Sequence, residues 1–201
     1  MLQIKDIVKQ YKDVTAVNGI SFNVEPGKIF GLMGPNGAGK TTTIRMIMNI
    51  IEPSSGTILY NGEPVAGNIK NIVGYLPEER GLYKKSKVSE VIAYMGALKG
   101  ADKRTIEKRT DEWLSKLEIT GYKNKKIEEL SKGNQQKIQF ICSVIHDPEI
   151  LVFDEPFSGF DPINQQNVKD IIMDFVKQGK IIILSTHQMD LAEKLCESIF
   201  L

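Results

Sequence analysis

The sequence predicts an α/β fold: a mainly parallel sheet at the core, an N-terminal antiparallel β region and an inserted α-helical subdomain. Two observations carry this. Residues 29–33, 150–153 and 181–184 are short, fully apolar runs, and strands without alternation suit a parallel sheet covered on both faces. These runs are separated by stretches with apolar residues at helical spacing, which is the order of an α/β protein.

The elements follow in chain order. Residues 1–30 hold apolar segments at 2–8 and 20–24 and a turn at Glu25-Pro26-Gly27, an antiparallel β region leading into the 29–33 strand. Ile44, Ile47, Met48 and Ile51 form the stripe of a first helix, which Glu52-Pro53-Ser54-Ser55-Gly56 is expected to end. Strands at 57–60 and 72–76 flank a turn at Asn61-Gly62. The texture changes over 86–126. Val88, Val91, Ile92 and Met95 make one helical stripe, and Ile106, Thr110, Trp113, Leu114 and Leu117 another. A third helix is read over 134–146. A strand at 150–153, a helix marked by Val168, Ile171, Ile172, Phe175 and Val176, and a strand at 181–184 complete the core. Cys142 lies on a stripe with Ile138, Ile141 and Ile145. Cys196 lies on one with Leu191, Ala192, Leu195 and Ile199, and both cysteines read as small core residues. Two cysteines without ligand spacing suggest neither zinc nor a disulfide framework.

The 201 residues carry 26 basic and 25 acidic side chains. A net charge of +1 gives no support for nucleic-acid binding, which shows a basic excess. No apolar run approaches the roughly 20 residues that span a bilayer, and the N-terminus lacks the apolar core of a signal peptide. A cytosolic chain is expected.

Three strands end in polar groups, and in open α/β sheets ligands bind beyond the carboxyl ends of the strands. After the first comes Gly34-Pro35-Asn36-Gly37-Ala38-Gly39-Lys40-Thr41-Thr42. It contains the phosphate-binding pattern G-x-x-x-x-G-K-[ST] between a strand and a helix, the context that the pattern requires. Gly34, Gly37 and Gly39 let backbone N–H groups face an anion. Lys40 supplies a cation for the β- and γ-phosphates and Thr41 a hydroxyl for Mg²⁺, and the following helix N-terminus favours anions. After the second strand come Asp154 and Glu155. Beside a phosphate loop, an Asp there holds Mg²⁺ and an adjacent Glu can orient and deprotonate the attacking water. After the third comes Ser185-Thr186-His187, which places His187 for a γ-phosphate contact. Tyr11 can stack on adenine. A guanine-specific Asn-Lys-x-Asp is missing, since Asn124-Lys125-Lys126 is followed by Ile127.

With those residues placed, the chain resembles the ATP-binding-cassette (ABC) ATPases. Leu130-Ser131-Lys132-Gly133-Asn134-Gln135-Gln136-Lys137 resembles their signature motif, with Ser131 23 residues before Asp154. The segment from Glu155 through Asp161-Pro162 is similar to the catalytic Glu and D-loop, and Ser185-Thr186-His187 to the H-loop. Tyr75-Leu76-Pro77-Glu78 occupies the Q-loop position, and Tyr11 the A-loop position. The resemblance covers the whole chain in order. It implies one ABC domain over 1–201: a core of 1–85 and 147–201 with a helical subdomain over about 86–146. Cassettes of this kind continue past the H-loop helix, so a truncated C-terminus at Phe200-Leu201 is expected. The resemblance also implies ATP and Mg²⁺ as cofactors, with Pro35, Asn36, Ala38 and Thr42 joining the ATP-binding loop. Ser131, Gly133, Asn134 and Asp161 would meet the ATP of a second cassette across a head-to-tail dimer. Thr41, Glu78 and Asp154 would hold the metal, Glu155 would be the base and His187 would hold γ-phosphate and water. A separate transmembrane permease would be the other partner, keeping the chain peripheral at the inner face of the cell membrane.

Three positions depart from the family pattern. Lys132 stands where a first Gly is usual, and is expected to face solvent. Asn134 stands where Gln is usual. Glu78 also stands where Gln is usual; its carboxylate suits a hard cation but adds negative charge beside the phosphates. The 75–83 segment and the Ser-Lys-Gly-Asn signature look like ABC-2-type exporters, including the sodium-efflux (Nat-type) branch. The expected function is an ATP-hydrolysing transporter subunit, an exporter. The alternative is an ABC ATPase outside transport. The short gap from Lys40 to Ser131 counts against chromosome-type members, whose two motifs are separated by a long coiled coil.

Overall fold

The computed structural model describes residues 1–65, 69–79 and 81–200. Arg80, inside the 75–83 segment compared above, and Leu201 lie outside the described residues. The chain opens with a long hairpin, β1 (Leu2–Tyr11) and β2 (Val14–Val24). Its strands are longer than their apolar runs because register shifts between Ile4 and Ile7, Ile7 and Lys9, and Lys9 and Gln10 carry the pairing through polar positions to the tip. β1 also pairs antiparallel with β4 (Ser55–Tyr60), and β4 with the short β5 (Glu63–Pro64).

The second sheet is parallel. Its order is β6 (Val73–Leu76), β7 (Ile150–Asp154), β8 (Ile181–Thr186), β3 (Lys28–Met33) and β9 (Ser198–Phe200). The apolar runs are explained by parity. Leu151, Phe153, Ile182 and Leu184 enter one apolar cluster, while Ile150, Val152, Ile181 and Ile183 enter the other. The first cluster is built with α3 (Val88–Leu98), α4 (Lys103–Lys116), α5 (Lys132–Val144) and α6 (Pro162–Lys177). The second is closed by the antiparallel sheet and by α1 (Lys40–Ile47). A strand covered on both faces has no position for a polar side chain until it reaches its end.

Three elements differ from the sequence reading. The first helix ends at Ile47 rather than near Glu52: Asn49 takes φ +53, a left-handed value that Asn tolerates, and turns the chain early. Ile51 therefore packs from beyond the helix. Cys196 and Ile199 do not continue a helical stripe. The last helix, α7 (Met189–Leu195), stops before Cys196, and Ile199 lies in β9, pairing with Gly31 of β3. The free edge of β3 overrides the local periodicity, and Gly31 makes room: a Cβ there would sit 3.0 Å from the Cys196 sulfur. A short α2 (Ile69–Ile72), which the sequence reading did not separate, precedes β6.

One aromatic contact ties the helical insert to the strand bearing Asp154. Phe140 of α5 stacks on Phe153 of β7, with ring centroids 5.5 Å apart, and both are fully buried. Trp113 of α4 meets Phe140 edge-on and also reaches Phe175 of α6. Removing that ring leaves a cavity at the junction of three helices and the sheet. Phe140→Ala is expected to destabilise the chain by about 3–5 kcal/mol. Urea unfolding measures this, and a loss under about 1 kcal/mol would show that the stack is not a structural link.

Candidate functional site

The parallel register decides what meets at the sheet's carboxyl edge. Met33 pairs with Thr186, and Asp154 with Ser185. The loop after β3, the acidic pair at the end of β7 and the histidine after β8 therefore emerge at one level. A cleft there is lined by Ala16, Asn36, Gly37, Gly39, Lys40, Thr41, Thr42, Glu78, Asp154 and Glu155.

The glycine loop takes a form that side chains would oppose. Gly34, Gly37 and Gly39 have φ of +144°, +86° and +92°. At Gly39 a Cβ would also lie 2.4 Å from the carbonyl oxygen of Ala16 in β2. Only glycine lets the loop pass beneath the hairpin and start α1. That helix has no side-chain cap and no acidic residue in its first turn. Its first N–H groups and its dipole are left to an anion. The Lys40 ammonium folds back over the loop, 2.6 Å from the Gly34 carbonyl oxygen and 3.1 Å from that of Pro35.

Asp154 is the last residue of β7 and is buried. Burial raises its carboxyl above the ordinary range. Contact with Ser185 pulls it back, the neighbouring Glu155 raises it again, and Lys40 opposes that rise. Tyr75 of β6 lies on the same sheet face as Asp154. Its phenol is pushed up to about 12 by burial and by the Asp154 charge. A carboxylate held in such surroundings suits a cation. The donors offered by Thr41, Glu78 and Asp154 are all oxygens, as Mg²⁺ requires.

Glu155 sits at φ +50, a left-handed strain rare for a non-glycine residue and typical of functional positions. Its carboxylate is held by three donors. Oε1 accepts from the backbone N–H of His187 at 2.8 Å and lies 2.6 Å from His187 Nδ1; Oε2 accepts from the Thr186 hydroxyl at 3.2 Å. With Nδ1 carrying its hydrogen toward Glu155, Nε2 is the free nitrogen of His187, whose ring is mostly exposed.

The other predicted residues lie apart from this cleft. Ser131 is the N-cap of α5, accepting from Asn134 N–H at 3.3 Å, with Gly133 in the first turn. Lys132 is exposed, as expected. Asp161 caps α6, accepting from the N–H groups of Ile163 and Asn164, each at 3.0 Å. Tyr11 is at the hairpin tip, nearly half exposed, with the Lys9 ammonium 5.2 Å from its ring centre. None of these lines the cleft.

Four contributors were given no role of their own in the sequence reading, although Tyr75, Ser185 and Thr186 lie in motifs it named. Ala16 supplies a wall, Tyr75 and Ser185 lie beside Asp154, and the Thr186 hydroxyl donates to Glu155. A fifth residue, Gln139 of α5, donates to the carbonyls of Pro77 and Glu79 at 3.3 and 2.8 Å, fixing the chain on both sides of Glu78. For Ser185 the parity of β8 was an available signal. For Gln139 the sequence holds none, since its partner is a loop 60 residues away.

A parallel sheet whose strand ends present a phosphate loop, an acidic pair and a histidine defines a P-loop nucleoside triphosphatase. The chain belongs to the ABC transporter family, whose profile matches residues 17–158. Comparisons with known proteins agree. It is 48% identical to the uncharacterised ABC transporter ATP-binding protein YhaQ of Bacillus subtilis, over 99% of this chain and 67% of that one. It is 32% identical to the ABC transporter ATP-binding protein NatA of the same organism, over 100% of this chain and 85% of that one. It is 35% identical to Nod factor export ATP-binding protein I of Ralstonia nicotianae, over 99% and 63%. The solved structure of an ATP-binding subunit of an ABC transporter superposes with a TM-score of 0.91 at 30% identity, covering 99% of this chain and 84% of that one. The chain is the ATP-binding, ATP-hydrolysing cassette of a transporter.

The raised Asp154 carboxyl has a thermodynamic consequence. Its ionised form is disfavoured in the folded chain, so it costs stability at neutral pH. Asp154→Asn is expected to raise the melting temperature of the nucleotide-free protein by about 2–4 °C for each ~1 kcal/mol relieved, while abolishing ATP hydrolysis. The gain is full above the raised pKa and is lost as pH falls to the ordinary carboxylate range, where Asp154 is protonated in both states. Calorimetry across pH checks this; a lower melting temperature at neutral pH would contradict it.

Proposed function

We propose that the chain hydrolyses ATP at a composite site between two cassettes and that this cycle drives a separate membrane permease, in the direction of export. The observation that carries the composite reading is the split of the site. The phosphate loop, Asp154 and Glu155 line one cleft, with His187 bonded to Glu155, whereas Ser131 and Gly133 sit elsewhere at a second helix N-terminus. Both termini suit phosphate, and a second copy, head to tail, would bring them together on one ATP.

In this reading the loop 34–42 binds the phosphates through its N–H groups and Lys40, and Tyr11 supports the adenine. Ser131, Gly133, Asn134 and Asp161 face the nucleotide of the partner cassette. The Ser131 oxygen accepts from Asn134 but keeps its hydrogen to donate to a phosphate oxygen. Mg²⁺, held by Thr41, Asp154 and Glu78, would neutralise phosphate charge. Glu155 orients the attacking water and takes its proton; the donors on Oε1 and Oε2 fix the carboxylate but leave lone pairs for that water. His187, seated against Glu155 through Nδ1, presents Nε2 to the γ-phosphate and keeps Glu155 in place. Residues 1–201 act as one ABC domain, with about 86–146 as its helical subdomain.

Among the described residues no helix is long and apolar enough to cross a membrane. A transport role therefore calls for a permease on another segment or chain, which would keep this domain peripheral at the inner membrane face. The export direction is supported by the name of the Nod factor relative. The whole chain spans about two thirds of YhaQ and of that relative.

Gel filtration with ATP and Mg²⁺ tests the composite site. Glu155→Gln is expected to run as an ATP-dependent dimer with phosphate release reduced by about 10²-fold or more, and adding Ser131→Arg should return it to a monomer that still binds ATP. Undiminished turnover would remove Glu155 from the base role. A dimer that survives Ser131→Arg would remove the signature helix from the interface.

A further inference from the structure

The lysines are not evenly spread. Residues 84–90 and 123–129 together hold six lysines against three glutamates, a net charge of +3 within a chain whose total is +1. The fold joins these two segments. Lys87 and Lys126 form an isolated antiparallel bridge; around it Val88 N–H donates to the Lys125 carbonyl at 2.9 Å and Ile127 N–H to that of Ser86 at 3.0 Å. Lys84, Lys85, Lys87, Lys123, Lys125 and Lys126 are thereby gathered on one surface.

Their charges are largely unspent. Lys123 pairs with Asp111 at 2.5 Å, and Lys126 reaches Glu128 only at 3.9 Å. Among the described residues Lys84, Lys85, Lys87 and Lys125 have no ion pair, and all four are exposed. Two of the three glutamates, both exposed, are engaged as helix caps: Glu90 accepts from Lys87 N–H at 3.0 Å and Glu129 from Lys126 N–H at 3.2 Å.

The patch has an apolar margin. Tyr83, next to Lys84, meets Tyr94 of α3 edge-on with centroids 5.6 Å apart, and Leu98 lies one turn further along that helix. They are 53%, 48% and 60% exposed. Lysines beside exposed tyrosines and an aliphatic side chain make a surface with two affinities. The ammonium groups suit anionic headgroups, and the rings suit the headgroup boundary of a bilayer. The chemistry favours lipid over an acidic polypeptide. The segments contain no arginine, the residue suited to planar, bidentate carboxylate recognition; lysine acts as a point charge on a flexible stem.

We propose that this lysine–tyrosine face binds the surface of an anionic bilayer directly, in addition to any contact with a membrane subunit. The cassette would then be oriented by the lipid itself.

Sedimentation of the full chain with vesicles tests this. Binding is expected to vesicles of phosphatidylcholine containing phosphatidylglycerol, to be absent with phosphatidylcholine alone, and to be lost at high salt. The triple variant Lys84→Glu/Lys85→Glu/Lys87→Glu should weaken it by about tenfold or more, with fluorescent-ATP affinity unchanged as the check on folding. Tyr83→Ala should weaken it to a smaller extent. Equal sedimentation with neutral vesicles, no effect of the triple variant, or displacement by soluble polyglutamate at a charge concentration equal to the lipid's would overturn the proposal.

Discussion

The register of three parallel strands is the constraint on which the rest depends. Asp154 opposite Ser185, and Met33 opposite Thr186, level the ends of β7, β8 and β3. Shift one strand by a single residue and its alternate side chains exchange faces. Ile150 and Val152 would lose the cluster they share with α1 and the hairpin, and Asp154 would turn away from Lys40 and Tyr75. Packing energy spread over two apolar clusters thus fixes the placement of two carboxylates and a histidine.

The strand ends concentrate what the interior excludes. Asp154 carries a carboxyl raised by burial, Glu155 holds a left-handed backbone, and Gly39 passes too close to Ala16 for any Cβ. Each is unfavourable locally, and each persists because the surrounding structure over-determines it. The interlock of Glu155 with Thr186 and His187 gives one such strained residue a fixed orientation. The Phe140–Phe153 stack then connects this edge to α5, whose N-terminus carries Ser131.

Much of this was legible in the sequence. Fully apolar runs such as Ile181-Ile182-Ile183-Leu184 announce a strand covered on both faces. The glycine spacing at 34, 37 and 39 announces an anion loop, because it specifies backbone shape. What was not legible depends on partners distant in the chain. Ile199 looked helical until the open edge of β3 claimed it, and Asn49 ended the first helix where periodicity alone ran on. Gln139 looks like one polar residue on a helix, yet it pins both neighbours of Glu78. Lys84 and Lys125 look like ordinary solvated charges, and only the pairing of their segments shows the patch.

In the proposed composite site, one chain holds the phosphate-binding half and needs a second cassette for hydrolysis. The dependence of specific ATPase activity on protein concentration tests it most directly, measured at saturating ATP and Mg²⁺. A composite site predicts that activity per chain rises with concentration, in proportion to it while dimers are scarce, and then levels off as pairing saturates. Activity per chain that stays constant down to concentrations where only monomer is present would contradict the account.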